Sequence, residues 1–296
     1  AMNSARSAAR LNGFPLVSSR LRTIIRSGGT HRGCATASGI LHATSTKAEM
    51  PRRPSTEITS TDMRAIWTGP LVLGYLAAGG LLLLAGKEPL GWGAASHATA
   101  MIVLSVATWH RAVPRWLRSW APLFAILFLY AEVPLLIAAA GHTREFDPQV
   151  IRWEQVLFGG QPAVALAARW PWPWLSEVLH AAYVSYYPII FVVPLALFSK
   201  GREAEFHDAS FALMLTFVAC FACSVMFPVA GPRYVWPEAH GAGGPFRTLA
   251  VWLLEAKSSR GTAFPSSHVA VATAQSILAV RYFGHRGLLL VALSVC

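Results

Sequence analysis

The chain has 296 residues, 54% of them hydrophobic and only 13% charged, with mean hydropathy +0.44. Soluble domains carry about 25% charged residues, so this composition excludes an ordinary soluble fold and predicts a polytopic membrane protein. The net charge of +11 is mostly a tail property: residues 1–60 hold nine Lys/Arg against two acids, and the other 236 hold sixteen against twelve, which excludes a basic core built for nucleic acid.

Residues 1–48 contain no Asp or Glu but carry Arg6, Arg10, Arg20, Arg22, Arg26 and Arg32 among Ser, Ala and Thr. That is the composition of an organelle transit peptide, or of translated upstream sequence with Met50 or Met63 as a later start. The expected division is a basic tail without chemistry over residues 1–64 and a transmembrane domain over 65–296, incomplete at its C-terminus.

Six apolar runs follow, each about long enough to cross a bilayer as a helix. They cover 65–86, 89–109, 119–142 (interrupted by Glu132), 178–199, 209–228 and 261–280. A seventh run begins at Gly287 and stops at Cys296, too short to span, as if the chain were cut within a helix. The expected fold is therefore an all-α transmembrane helical bundle of six or more spans. Cys220 and Cys223 fall inside the fifth run and read as small packing residues; with Cys34 and Cys296 they give no disulfide framework.

Two long connections break the rhythm, 143–177 and 229–260. In the first, Trp153, Val156 and Leu157 share one helical face, the pattern of a short helix lying in the membrane interface. Trp170, Trp172 and Trp174 suit an aromatic belt. The short loops carry Arg111, Arg115, Arg118, Lys200, Arg202, Arg281 and Arg286, which places them inside and both long connections on the extracytoplasmic side.

The chemistry-bearing stretch is Gly261-Thr-Ala-Phe-Pro-Ser-Ser-His-Val-Ala270, at the start of the sixth run. With Pro265, Ser266, Ser267 and His268 in its first turn, a helix offers unpaired N–H groups and its positive dipole end to an anion such as phosphate. Serine hydroxyls add donors, and a histidine there hands a proton to a leaving oxygen. The alternative is a plain helix cap with a histidine at the interface. Arg233, after Gly231 and Pro232, offers a planar fork matched to phosphate oxygens. Lys257 and Arg260 stand near enough in sequence to help hold phosphate; a solvated loop charge is the other reading.

Phe264-Pro-Ser-Ser-His-Val269 resembles the central motif, usually Pro-Ser-Gly-His, of the type 2 phosphatidic acid phosphatase superfamily, and Phe227-Pro-Val-Ala-Gly-Pro-Arg-Tyr234 resembles its first motif. Trp153-Glu-Gln-Val-Leu-Phe-Gly159 and the 183–188 run are similar to the branch containing inositol-phosphorylceramide synthases. The resemblance covers roughly residues 120–296. It implies that Arg233 contacts phosphate, that Ser266 donates through its side chain and Ser267 through its N–H, and that His268 protonates the leaving group. It also implies a phosphohistidine intermediate without metal or cofactor, on a nucleophilic histidine of a third motif expected beyond Cys296, so that residues 1–296 alone are expected to be inactive. Met226 stands where the broad family has lysine, and Ser267 where glycine is usual; the first departure points toward the synthase-like branch.

Three functions stay open at this stage: hydrolysis of a lipid phosphate, transfer of a phosphoryl-containing headgroup to an acceptor alcohol, and a non-catalytic membrane role. The partners implied are a phospholipid substrate and the bilayer, with no nucleic acid. Glu132 within a span is either functional or paired with another helix. His180, Tyr183, Tyr186 and Tyr187 either line a headgroup pocket or anchor a helix end. His97, His110 and His240 read as structural or exposed, and no spacing resembles a metal site.

Overall fold

The structure, a computed structural model, describes residues 60–86, 91–236, 243–257 and 259–295. The basic tail up to residue 59 and His240 lie outside the described residues. The helices are α1 (Ser60–Ala85), α2 (Trp92–Trp109), α3 (Arg115–Ala139), α4 (Asp147–Phe158), α5 (Pro162–Arg169), α6 (Pro173–Ser199), α7 (Glu203–Met226), the single turn α8 (Pro232–Val235), α9 (Pro245–Lys257) and α10 (Ser267–Phe283). A 3₁₀ turn (Gly284–Gly287) leads into α11 (Leu288–Val295). Among the described residues there is no strand; one isolated parallel bridge joins Val229 to Thr262.

Helix α7 is the axis of the bundle and packs against α1, α3, α6 and α10. Its Phe206, Leu213, Met214, Phe217 and Phe221 are all buried. Their spacing returns the apolar side chains to adjoining faces at nearly every turn, so α7 is covered on several sides. The outer helices turn Leu81, Leu84, Ile102, Leu127 and Ile277 outward. Apolar residues on both surfaces are what a bilayer demands, because lipid tails offer no partner to polar groups.

Four described helices are long and apolar enough to cross a membrane: Trp67–Ala85 within α1, then α3, α6 and α7. The chain is thus an all-α membrane helical bundle. Helices α2 and α10 occupy the second and sixth expected spans but are not among those four. Helix α10 has 17 residues, about 25 Å at 1.5 Å per residue, against a hydrocarbon core of about 30 Å. It starts six residues later than its uncharged run because 261–266 are spent on the loop contact described below.

The fifth run also differs in its start. Helix α7 begins at Glu203, inside what reads as a charged turn. Glu203 and Glu205 occupy its first turn, where a carboxylate meets the positive dipole end, and Arg202 donates to Glu205 from Nη2 at 3.0 Å. Asp208, one turn on, is buried and takes the Tyr282 hydroxyl and, at 3.4 Å, Nη1 of Arg281. The beginning of α7 is thereby tied to the end of α10.

Glu132 is paired between helices. Its carboxylate meets Nδ1 of His97 from α2, and the Leu76 carbonyl of α1 accepts from His97 Nε2 at 2.9 Å. Both side chains are buried, and Gly80 leaves the space: a Cβ there would stand 3.0 Å from His97 Nε2. One polar contact thus joins α1, α2 and α3, where water offers no substitute. We predict that His97→Leu alone, which leaves a buried unpaired carboxylate, destabilises the bundle by about 3 kcal/mol. The double variant His97→Leu/Glu132→Leu should recover at least half, as read by thermal unfolding in detergent; equal losses would refute the pairing.

Candidate active site

The two long connections meet at one end of the bundle. Pro228 ends α7, because a proline supplies no N–H to continue the ladder. The chain then pairs with the segment leading into α10: Val229 N–H donates to the Gly261 carbonyl at 3.1 Å, and Ala263 N–H donates to the Val229 carbonyl at 2.9 Å. Gly231 and Gly261 carry φ of 94° and 93°, a region costly to side chains. A Cβ on Gly231 would also lie 2.7 Å from that of Ala263, and one on Gly261 would lie 2.6 Å from Cδ1 of Ile137. Glycine is required twice, for backbone angle and for close approach.

The other connection clamps this pair. Asp147, at the start of α4, accepts from Ala230 N–H at 2.9 Å and from Gly231 N–H at 2.7 Å. Phe146 N–H donates to the Pro228 carbonyl at 2.8 Å. Arg260 donates to both oxygens of Glu145, at 2.5 and 3.2 Å. That bidentate hydrogen bonding and the Glu145 charge push the Arg260 guanidinium further above its ordinary pKa, so it stays cationic. From below, Tyr130 of α3 holds Ser259: its hydroxyl accepts from Ser259 N–H at 3.0 Å, and its carbonyl accepts from the Ser259 hydroxyl at 2.8 Å.

Arg233 sits in the α8 turn directly after this clamp. Its guanidinium lies 5.5 Å from the Tyr234 ring, and that of Arg260 lies 5.0 Å from the same ring. Helix α10 opens beside them. Ser266 is its N-cap, with backbone angles of −68° and 107° and a hydroxyl accepting from Val269 N–H at 3.4 Å. The Ser266 carbonyl accepts from Ala270 N–H, which leaves the Ser267 and His268 N–H groups with no partner inside the helix. The Ser266 hydroxyl proton also remains to be donated. Ser267 is buried.

His268 lies against the tyrosines of α6. Its ring centroid is 4.0 Å from Tyr186 and 5.0 Å from Tyr183, the latter nearly parallel at 14°. Nη1 of Arg233 and Nε2 of His268 are both buried, and neither has a hydrogen-bond partner. Buried polar nitrogens are nearly always paired, so two orphans at one end of the bundle mark a place for a polar ligand.

The structure therefore gathers Arg233, Ser266, Ser267 and His268 at one end of the fold. Pro265 lies before the helix rather than in its first turn. Arg260 joins the group with two of its nitrogens committed to Glu145, and the Lys257 side chain lies outside the described residues. His180 turns back on its own helix, toward the Ser176 carbonyl at 2.6 Å. Sequence reasoning missed Asp147, Glu145 and Tyr130. Asp147-Pro148 carries a helix-start signal, but nothing local says which distant N–H groups its carboxylate receives. Asp147→Ala should strip two amides of their acceptor, a loss of about 1–3 kcal/mol locally. Hydrogen exchange at Ala230 and Gly231 should then speed up at least tenfold while Ala263 changes less; unchanged exchange would refute the clamp.

No curated protein and no solved structure matches this chain. The family model of the PAP2 superfamily matches residues 148–296, a segment that runs from the first turn of α4 through both motifs and α10. With that match over half its length, the chain belongs to the PAP2 superfamily.

Proposed function

We propose that this protein is a membrane-embedded lipid phosphate phosphatase that works by phosphoryl transfer through a phosphohistidine intermediate, with its site on the extracytoplasmic face. The observation that carries the reading is the pair of buried, unpartnered nitrogens, Arg233 Nη1 and His268 Nε2, beside a helix start. In this reading Arg233 holds two phosphate oxygens in its fork. The Ser266 hydroxyl and the Ser267 N–H donate to the phosphate, and the end of α10 contributes its dipole. Charge on the equatorial oxygens thus meets fixed donors that need no reorganisation.

The first step forms a P–N bond to a nucleophilic histidine and breaks the P–O bond to the lipid. His268, as the imidazolium, gives its Nε2 proton to the departing oxygen and becomes neutral, so the lipid leaves as a neutral alcohol. In the second step His268 takes a proton from water as the water oxygen attacks phosphorus, which releases inorganic phosphate and regenerates both histidines. With a phosphodiester lipid as donor, the same first step leaves the phosphoryl-headgroup on the nucleophilic histidine, and an acceptor alcohol attacking in place of water takes that group, which makes the site a headgroup transferase. Met226, in the place of the family's lysine and two-thirds exposed, favours keeping this second reading.

Two measurements test the proposal on the purified full-length protein. Arg233→Ala should weaken binding of vanadate, a phosphate analogue, by at least tenfold. His268→Ala should lower turnover of a long-chain alkyl phosphate by about 10²–10⁴-fold, the usual range for a lost general acid. Vanadate affinity untouched by Arg233→Ala, or full turnover without His268, would overturn it. Release of product with and without an acceptor lipid separates hydrolysis from transfer.

A further inference from the structure

The tyrosines of α6 have no part in the mechanism just given, yet they make the closest ring contacts of His268. Tyr183 and Tyr186 are three residues apart on α6, so they project from neighbouring positions on one helix face. Tyr186 is buried and approaches the imidazole to 4.0 Å at a 30° tilt. Tyr183 lies 5.0 Å away and nearly parallel. Tyr187, at 6.5 Å and 87°, stands edge-on. Three rings from one helix therefore meet a side chain from another.

An imidazole has two side-chain torsions, and aromatic contacts at these separations favour particular ring geometries by about 0.5–1.5 kcal/mol each. With Nε2 buried and no hydrogen bond to fix it, nothing polar among the described residues holds the ring plane. We infer that Tyr186 and Tyr183 are positioning residues for His268: their rings, one tilted and one nearly parallel to it, hold its imidazole in the plane that aims Nε2 at the leaving oxygen. The inference rests on His268 being the general acid. It adds a source for the alignment on which proton transfer depends, since misplacement by about 1 Å costs on the order of 10²-fold.

Leaving-group dependence tests this. A poor leaving group, such as a long-chain alkoxide, needs its proton; 4-nitrophenolate departs without one. Turnover of an alkyl phosphate and of 4-nitrophenyl phosphate would be measured on the full-length protein for the wild type, His268→Ala, Tyr186→Leu and Tyr186→Phe. Tyr186→Leu should lower alkyl phosphate turnover about tenfold or more and leave the nitrophenyl ester within about twofold, with Tyr186→Phe restoring most of the difference because the ring remains. A loss of folded protein would lower both substrates equally, so an equal fall, or wild-type selectivity in Tyr186→Leu, overturns the inference. If His268→Ala itself shows no selectivity between the esters, the general-acid reading falls instead.

Discussion

The contact that everything at the site depends on is the short backbone pairing between Val229 and the 261–263 segment. Arg233 follows α7 and His268 opens α10, and 34 residues of chain separate them. Two backbone hydrogen bonds bring their loops into one line. The pairing is too short to stand alone, since an isolated pair of strands is marginal in water. It is held by what surrounds it: two glycines that permit the approach, the Asp147 carboxylate from one side and Tyr130 from the other.

This arrangement explains why α10 starts late. If 261–266 were helical, Gly261 and Ala263 could not face Val229, and Arg233 would stand apart from the helix start. The chain gives up about a turn and a half of a membrane helix to build the loop. In return it obtains a helix start beside a half-buried arginine whose Nη1 is enclosed, with free N–H groups in a low-dielectric setting where their attraction for an anion is strong. The same low dielectric makes unpaired groups expensive, so the orphaned nitrogens of Arg233 and His268 are informative in a way that exposed ones would not be.

The two halves of the bundle use polar contacts differently. Helices α1, α2 and α3 share the His97–Glu132 pair and the Leu76 carbonyl, contacts that join three helices. At the site end, Glu145 and Asp147 are spent on Arg260 and on backbone N–H groups. Acids that would repel phosphate are thus neutralised by fixed partners while Arg233 keeps a free nitrogen. Trp153 of α4 stacks with Phe227 at 5.6 Å and meets Phe264 at 6.2 Å, so an aromatic surface borders both motifs.

Much of this was legible in the sequence. Uncharged runs located α1, α3, α6 and α7, because the absence of charge over about 20 residues has one physical meaning in a bilayer. The Pro-Ser-Ser-His stretch gave the helix start, its N-cap and its histidine, because capping is local chemistry read within four residues. Gly231-Pro-Arg233 gave a turn ending in an arginine for the same reason. Local sequence had no way to announce that Glu132 pairs with His97, that Asp147 receives the amides of Ala230 and Gly231, or that His268 rests on Tyr183 and Tyr186. Each of those contacts joins residues 35 to 85 positions apart, and only the packing of separate helices and connections against one another brings them within reach. The sequence alone determined the class of fold and the chemical groups at hand; the tertiary structure decided which of them face one another, because a distance of a few ångströms between remote residues is a property of packing and not of any one segment.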